Sequence, residues 1–325
     1  MLSPYRLDGG INKRVRCIEV DEEVEGGRWE GLNPEVLAVI FVRLPAEERL
    51  RTVALVCRSW LETVAGPYCW TEIDIEQWCR RCNRLEIIDL AVRKLVRRSK
   101  GTFRRLAAYK LGDGAFSFLA NWYPPSISVD LSNLRCPTLI VYLLPKNSEK
   151  QLNGKSLKVL QIPMSEVTDK MVQKHAESLA NISVLDISYC LKITSKGLES
   201  FGKQCKSLTQ LKRNMPPPEW EKPAPGSASS RVDDTEAMII ADTMTGLHQL
   251  ELCFGRFGDR GLHALLTHCE KLSHLDIQGC WNLELEGDLE EKCKQLAVYR
   301  SPWLDYDEDA VLSDSSDESS SDSIS

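Results

Sequence analysis

The chain has 325 residues, with 41 Lys and Arg against 47 Asp and Glu, a net charge of −6, and twelve cysteines. That balance excludes a strongly basic nucleic-acid binder, and no nucleic-acid-binding signature accompanies the basic clusters that do occur. The apolar run 139–144 is too short to cross a bilayer, so no membrane span is expected.

Residues 1–27 are polar and charged and read as a flexible N-terminus without a signal peptide. The expectation is an intracellular chain, cytoplasmic or nuclear, with reduced thiols. Lys13-Arg14-Val15-Arg16 would suit a nuclear address. Residues 28–75 carry two helical stripes. Apolar residues at 36, 37, 40, 41 and 44 predict one helix, opened by Pro34 and stopped by Pro45. Those at 50, 53, 56, 57, 60 and 61 predict a second, ended by Gly66-Pro67. A bundle of this size buries little core and is completed by a neighbouring domain or a partner. Residues 76–101 are rich in Arg and Lys, with apolar spacing at Leu85, Ile88, Val92, Leu95 and Val96, and read as one linking helix. Cys79-Arg80-Arg81-Cys82 is a lone C-x-x-C without a second pair, so no metal site is expected.

Residues 102–303 repeat. Leu157-Lys158-Val159-Leu160-Gln161-Ile162 is answered by Ile182-Ser183-Val184-Leu185-Asp186-Ile187, Leu208-Thr209-Gln210-Leu211-Lys212, Leu247-His248-Gln249-Leu250-Glu251-Leu252 and Leu272-Ser273-His274-Leu275-Asp276-Ile277. The first apolar positions, 157, 182, 208, 247, 272 and 296, lie 25, 26, 39, 25 and 24 residues apart. L-x-x-L-x-L at a period of 20–29 marks a leucine-rich-repeat solenoid, whose concave face holds other macromolecules. Each strand half precedes a helix half that opens on Thr or Gly followed by Asp or Ser, as at Thr168-Asp169 and Gly258-Asp259. Cys205, Cys269 and Cys293 end helices in Cys-x-x-Leu, while Cys190 and Cys280 follow strands. These five read as buried small hydrophobes.

Two interruptions break the period. Residues 122–153 carry no repeat pattern, and removing them would restore the spacing between Phe103 and Leu157. They read as an insertion foreign to the fold, with translated intron sequence as one origin. Residues 215–231 are rich in proline and glycine and read as a loop, with Trp220 its best candidate contact. Residues 304–325 form an acidic, serine-rich tail expected to be disordered, with eight acidic residues and eight serines from Asp305 onward. The chain lacks a phosphate-binding glycine loop, a His-Glu-x-x-His and a nucleophile elbow, so neither an enzyme nor a cofactor is expected.

Leu32-Asn33-Pro34-Glu35-Val36-Leu37, Ile40-Phe41-Val42-Arg43-Leu44-Pro45 and Val56-Cys57-Arg58-Ser59-Trp60, closed by Trp70, resemble the F-box. That family docks the Skp-type adaptor of cullin–RING ubiquitin ligases. One departure stands out: the usual Leu-Pro is Leu32-Asn33-Pro34 here. The resemblance implies that Leu32, Pro34, Val36, Leu37, Ile40 and Leu44 face the adaptor. Val56, Cys57 and Trp60 would serve bundle core and interface together. An F-box ahead of cysteine-containing repeats resembles the plant F-box/leucine-rich-repeat substrate receptors, and the chain looks most like a group linked to Argonaute turnover. The fold class so implied is α/β, a helical F-box followed by a leucine-rich-repeat solenoid. The function so implied is a non-catalytic subunit of an SCF-type E3 ubiquitin ligase that holds a protein substrate for ubiquitination. The alternative is a repeat scaffold with no ubiquitin role. Substrate contacts are expected at Lys158, Gln161, Asp186, Ser188, Gln249, Glu251, Asp276 and Gln278, and at Trp220.

Overall fold

The computed structural model describes residues 29–121, 156–217 and 232–303. The expectations for residues 1–27, 122–153, Trp220 and the acidic tail lie outside them.

The N-terminal bundle begins with α1 (Pro34–Phe41). The Asn33 side chain accepts the Glu35 N–H, and Pro34 occupies the first turn, where its missing donor costs nothing. The second predicted helix is two helices, α2 (Ala46–Arg51) and α3 (Arg58–Ala65), joined by a 3-10 turn at Val53–Leu55. Cys57 is extended at φ −155° and breaks the stripe that the spacing had suggested was continuous. Leu37, Phe41, Val53, Val64 and Trp70 close the small core.

Strand β1 (Glu72–Asp74) follows at once, inside the segment the sequence assigns to the bundle. The expected linking helix is α4 (Glu76–Cys82) and α5 (Leu85–Arg98), broken at Asn83, whose φ of +48° is one that asparagine tolerates. These helices are therefore the helical half of a first strand–helix unit. Seven further strands follow: β2 (Arg105–Ala107), β3 (Val159–Gln161), β4 (Val184–Asp186), β5 (Gln210–Lys212), β6 (Gln249–Glu251), β7 (His274–Asp276) and β8 (Val298–Arg300). All eight form one parallel sheet in chain order. The connecting helices are α6 (Asp113–Ala120), α7 (Asp169–His175), α8 (Ser195–Gln204), α9 (Thr235–Thr243), α10 (Asp259–His268) and α11 (Leu289–Lys294).

The leucine pattern produces this arrangement directly. Ile73, Leu106, Leu160, Leu185, Leu211, Leu250 and Leu275 sit opposite one another across neighbouring strands and are all buried. Strand periodicity then sends the flanking residues to the other face. The aspartates that open the helices reach across to the next unit rather than capping their own helices. Asp113 accepts the N–H and hydroxyl of Thr168 at 2.8 and 2.9 Å. Asp169 does the same for Thr194 at 2.8 and 2.6 Å. Asp234 takes the N–H of Gly258 and Asp259 that of Glu284. Asp113, Asp169 and Asp234 thus satisfy backbone donors at the next unit's helix start, while Asp259 holds the loop that leads into it.

The cysteines also link units. The thiols of Cys190, Cys205 and Cys280 point at the carbonyls of Ile162, Leu179 and Leu252, at 3.2, 3.3 and 3.0 Å. Burial pushes all three up to about 12, so they stay protonated and pack as small apolar groups. Arg213 breaks the pattern inside the sheet: it stands where the units around it have Ile162, Ile187, Leu252 and Ile277. It is buried, donates to the carbonyls of Cys190 and Ile193, and pairs with Glu236 through two nitrogens at 3.2 and 3.0 Å.

Candidate functional site

Two surfaces stand out, one on the bundle and one on the sheet. On the bundle, Trp60 packs on Phe41 with ring centroids 4.9 Å apart, and Trp29 meets Trp60 edge-on at 6.4 Å. Around this core the apolar side chains of Val36, Val39, Ile40, Leu55, Val56 and Leu61 remain open, Leu55 at 82% and Val56 at 56% exposure. Six exposed apolar side chains on so small a unit point to a protein-binding face.

Of the residues the sequence nominates, Val36, Ile40, Leu44 and Val56 are exposed and apolar. Pro34 is exposed, and Leu32, Cys57 and Trp60 are half-buried. Leu37 is corrected: its side chain is wholly buried between the helices and belongs to the core. Val39 and Leu55 fall in neither stripe, and Leu61, a member of the second, is not among the nominated residues; all three are exposed. An apolar residue on the wrong side of an amphipathic stripe is the signal that could have found Val39.

The bundle is clamped to the sheet through Trp70. Its indole N–H donates to the Val64 carbonyl at 2.7 Å. Arg49 and Arg98 lie over its ring, at 4.7 and 5.7 Å from the centroid. Arg49 is itself buried and donates to the carbonyls of Cys69 and Glu72, so α2 is tied to the first strand.

On the sheet, register stacks Gln161, Asp186, Lys212, Glu251, Asp276 and Arg300 into one row. Lys212 pairs with Glu251 at 2.7 Å and Arg300 with Asp276 at 3.0 Å. Burial pushes the Asp186 carboxyl up, against the pull of the Ser188 N–H at 3.0 Å. The row mixes both signs rather than forming a field of one sign, with Glu251 and Asp276 side by side between Lys212 and Arg300. Gln161, Asp186, Glu251 and Asp276 were nominated and lie in it, and Gln249 lies in the adjoining row. Lys158 precedes its strand, exposed, and its backbone N–H donates to the Arg104 carbonyl at 2.8 Å. Gln278 lies two residues past the row, half-buried. Ser188 is corrected: it is buried and offers no open surface. Lys212 and Arg300 were missed because Arg213 and Ser301 spoil the final apolar position that marks the other strands.

Among the described residues no cluster of His, Cys, Asp or Glu could hold a metal, and no helix is long and apolar enough to cross a membrane.

A helical bundle with an open apolar face, fixed ahead of parallel strand–helix units in chain order, is the layout of an F-box joined to leucine-rich repeats. A family model described as F-box-like matches residues 29–76. The chain is 34% identical over 269 residues to the F-box protein FBW2 of Arabidopsis thaliana, covering 82% of this chain and 73% of that one. It is 31% identical over 277 residues to the F-box protein SKIP1 of the same plant, covering 80% and 82%. A putative F-box/LRR-repeat protein 23, also of Arabidopsis thaliana, is 28% identical over 265 residues, covering 82% and 51%. The chain belongs to the F-box/leucine-rich-repeat family.

Proposed function

We propose that this chain is the substrate-recognition subunit of an SCF-type E3 ubiquitin ligase. The carrying observation is the open apolar face at Val36, Val39, Ile40, Leu55, Val56 and Leu61 within the F-box-like segment. A Skp-type adaptor would cover that face and bring a cullin–RING ligase with it. The repeats then form a leucine-rich-repeat solenoid whose charged row meets a protein substrate.

No bond is made or broken by the chain itself. Its contribution is effective concentration: it holds a substrate lysine near a ubiquitin-charged enzyme in a restricted set of orientations. The Trp70 clamp supports this, because a loose joint between bundle and sheet would dilute the orientation. A cytoplasmic or nuclear location is part of this proposal, and the free cysteines of the described residues are compatible with it. The resemblance makes an Argonaute protein the first substrate class to try.

The test is co-purification with a Skp-type adaptor, wild type against Leu55→Asp/Val56→Asp. Both residues are exposed, so the variant should fold, which circular dichroism checks. Capture by wild type and loss in the variant supports the receptor reading. No capture by a folded wild type leaves a repeat scaffold outside the ubiquitin system.

A further inference from the structure

We infer that the groove between the bundle and the first strand–helix unit binds a small amphiphilic organic anion: an apolar body carrying a carboxylate, phosphate or sulfonate. The groove is about 790 Å³, inside the range of roughly 300–1,000 Å³ typical of small-molecule sites, which favour domain junctions. Its lining comes from the loop after α1, from α2, and from β1, α4, α5 and β2.

Two properties of the lining select the ligand. Leu44, Leu50, Ile75, Trp78, Ala91 and Leu95 supply its apolar lining, Ile75 and Leu95 buried beneath it. The ionised residues around it are seven cations and four carboxylates. The carboxylates are partly spent. Glu47 pairs with both Arg51 and Arg81, Asp74 with Arg105, and Glu48 accepts the Thr52 hydroxyl. Among the described residues Arg43, from the loop after α1, and Lys94, from α5, make no ion pair, and Arg98 makes none either but lies over the Trp70 ring. Surplus positive charge beside an apolar lining is complementary to one anionic head on an apolar body. A neutral apolar ligand would leave the cations unused, and a compact inorganic anion would leave the apolar lining unused. An occupant would touch α2, α4 and α5 together, and so brace the joint that orients substrate relative to adaptor. The site needs neither the ligase reading nor the adaptor to exist.

The probe is 8-anilinonaphthalene-1-sulfonate, an aromatic body with one sulfonate, titrated by fluorescence into the full-length chain. The expected result is saturable one-site binding that weakens at least tenfold in Arg43→Glu/Lys94→Glu. The melting curve of that variant should match wild type. Leu55→Asp/Val56→Asp, on the apolar face, should leave the affinity unchanged. Displacement by dodecyl phosphate and by dodecanoate then ranks the two biological head groups. Unchanged binding in the charge-reversed variant overturns the proposal, as does loss only in the apolar-face variant. Glu19, Glu22 and Glu23 lie just ahead of the bundle in the sequence. If Glu19→Gln/Glu22→Gln/Glu23→Gln raised the affinity tenfold, the groove would belong to the chain's own acidic segment, and the small-ligand assignment would fall.

Discussion

Leu37 and Val56 are both apolar residues of one small bundle, yet burial gives them opposite jobs. Leu37 is fully enclosed, whereas Val56 leaves more than half its surface to solvent. Leu37→Ala should cost about 2–5 kcal/mol, the usual loss for a buried leucine in a core that cannot collapse. Val56→Asp should change stability by no more than ~0.5 kcal/mol and still abolish adaptor capture. Denaturant melts run beside co-purification separate the two, and a stable Leu37→Ala chain would contradict the assignment of Leu37 to the core. His175 offers a second residue-scale test. It is buried, with its Nε2 3.0 Å from the Ser117 hydroxyl and its Nδ1 3.2 Å from the Asn121 amide nitrogen. That amide nitrogen also donates to the Ser117 carbonyl at 3.0 Å, which fixes it as the donor. Nδ1 therefore accepts, and the single ring proton sits on Nε2. Burial, with Lys174 adding to it, holds the imidazole below its ordinary value of 6.5. Folding thus favours the neutral ring. The stability it contributes is complete above pH 6.5 and is lost as pH falls below that value toward the folded pKa. His175→Gln should flatten this part of the stability–pH profile, and an unchanged slope between pH 7 and pH 5 would count against the buried neutral ring.

At the scale of elements, two devices join units, and they should differ in cost. Asp169 receives the Thr194 and Gly197 N–H groups at 2.8 and 3.0 Å, the work of a helix cap delivered from a neighbour. Asp169→Ala should cost about 1–2 kcal/mol. Arg213→Ala should cost more, about 3–5 kcal/mol, because it removes the partner of Glu236 and leaves two buried carbonyls without donors. Lysine should not rescue it, since it lacks the planar fork that reaches both carbonyls and the carboxylate. A smaller loss for Arg213→Ala than for Asp169→Ala would reverse this ranking. The sequence carried the strands because an inward leucine every 25 or so residues is a local signal repeated in register. It carried the first helix for a similar reason, an apolar stripe opened by Pro34 and stopped by Pro45. It hid what depends on two distant segments. Nothing local says that Asp169 caps the helix after its own, that Arg213 replaces an isoleucine by borrowing Glu236, or that Ile73 begins the sheet inside the bundle. The apolar face was half legible: Ile40 and Val56 follow the pattern, whereas the exposure of Leu55 depends on the turn at Val53–Leu55.

Across the whole molecule the sheet runs unbroken from β1 to β8, and this bears on residues 122–154. Strand β2 pairs with β3 as β3 pairs with β4: Arg105 opposite Val159, then Val159 opposite Val184. Asp113 reaches Thr168 just as Asp169 reaches Thr194. The units on either side of the irregular segment are therefore direct neighbours, with the contacts that units 25 residues apart make elsewhere. Helix α8 is joined to Leu208 by Cys205, Lys206 and Ser207, and helix α10 to Leu272 by Cys269, Glu270 and Lys271. Deleting 122–154 leaves Asn121, Lys155 and Ser156 between α6 and Leu157, the same count. The shortened chain should fold and keep its adaptor binding. It should also gain stability, of order 2 kcal/mol, because closing a loop about ten times shorter costs less chain entropy. Thermal melts of the two forms, with adaptor capture as the second readout, check this. A shortened chain that aggregates or melts well below the full-length one would mean that residues 122–154 contribute contacts of their own. The direct stacking of β2 on β3 would then be insufficient to hold the sheet together.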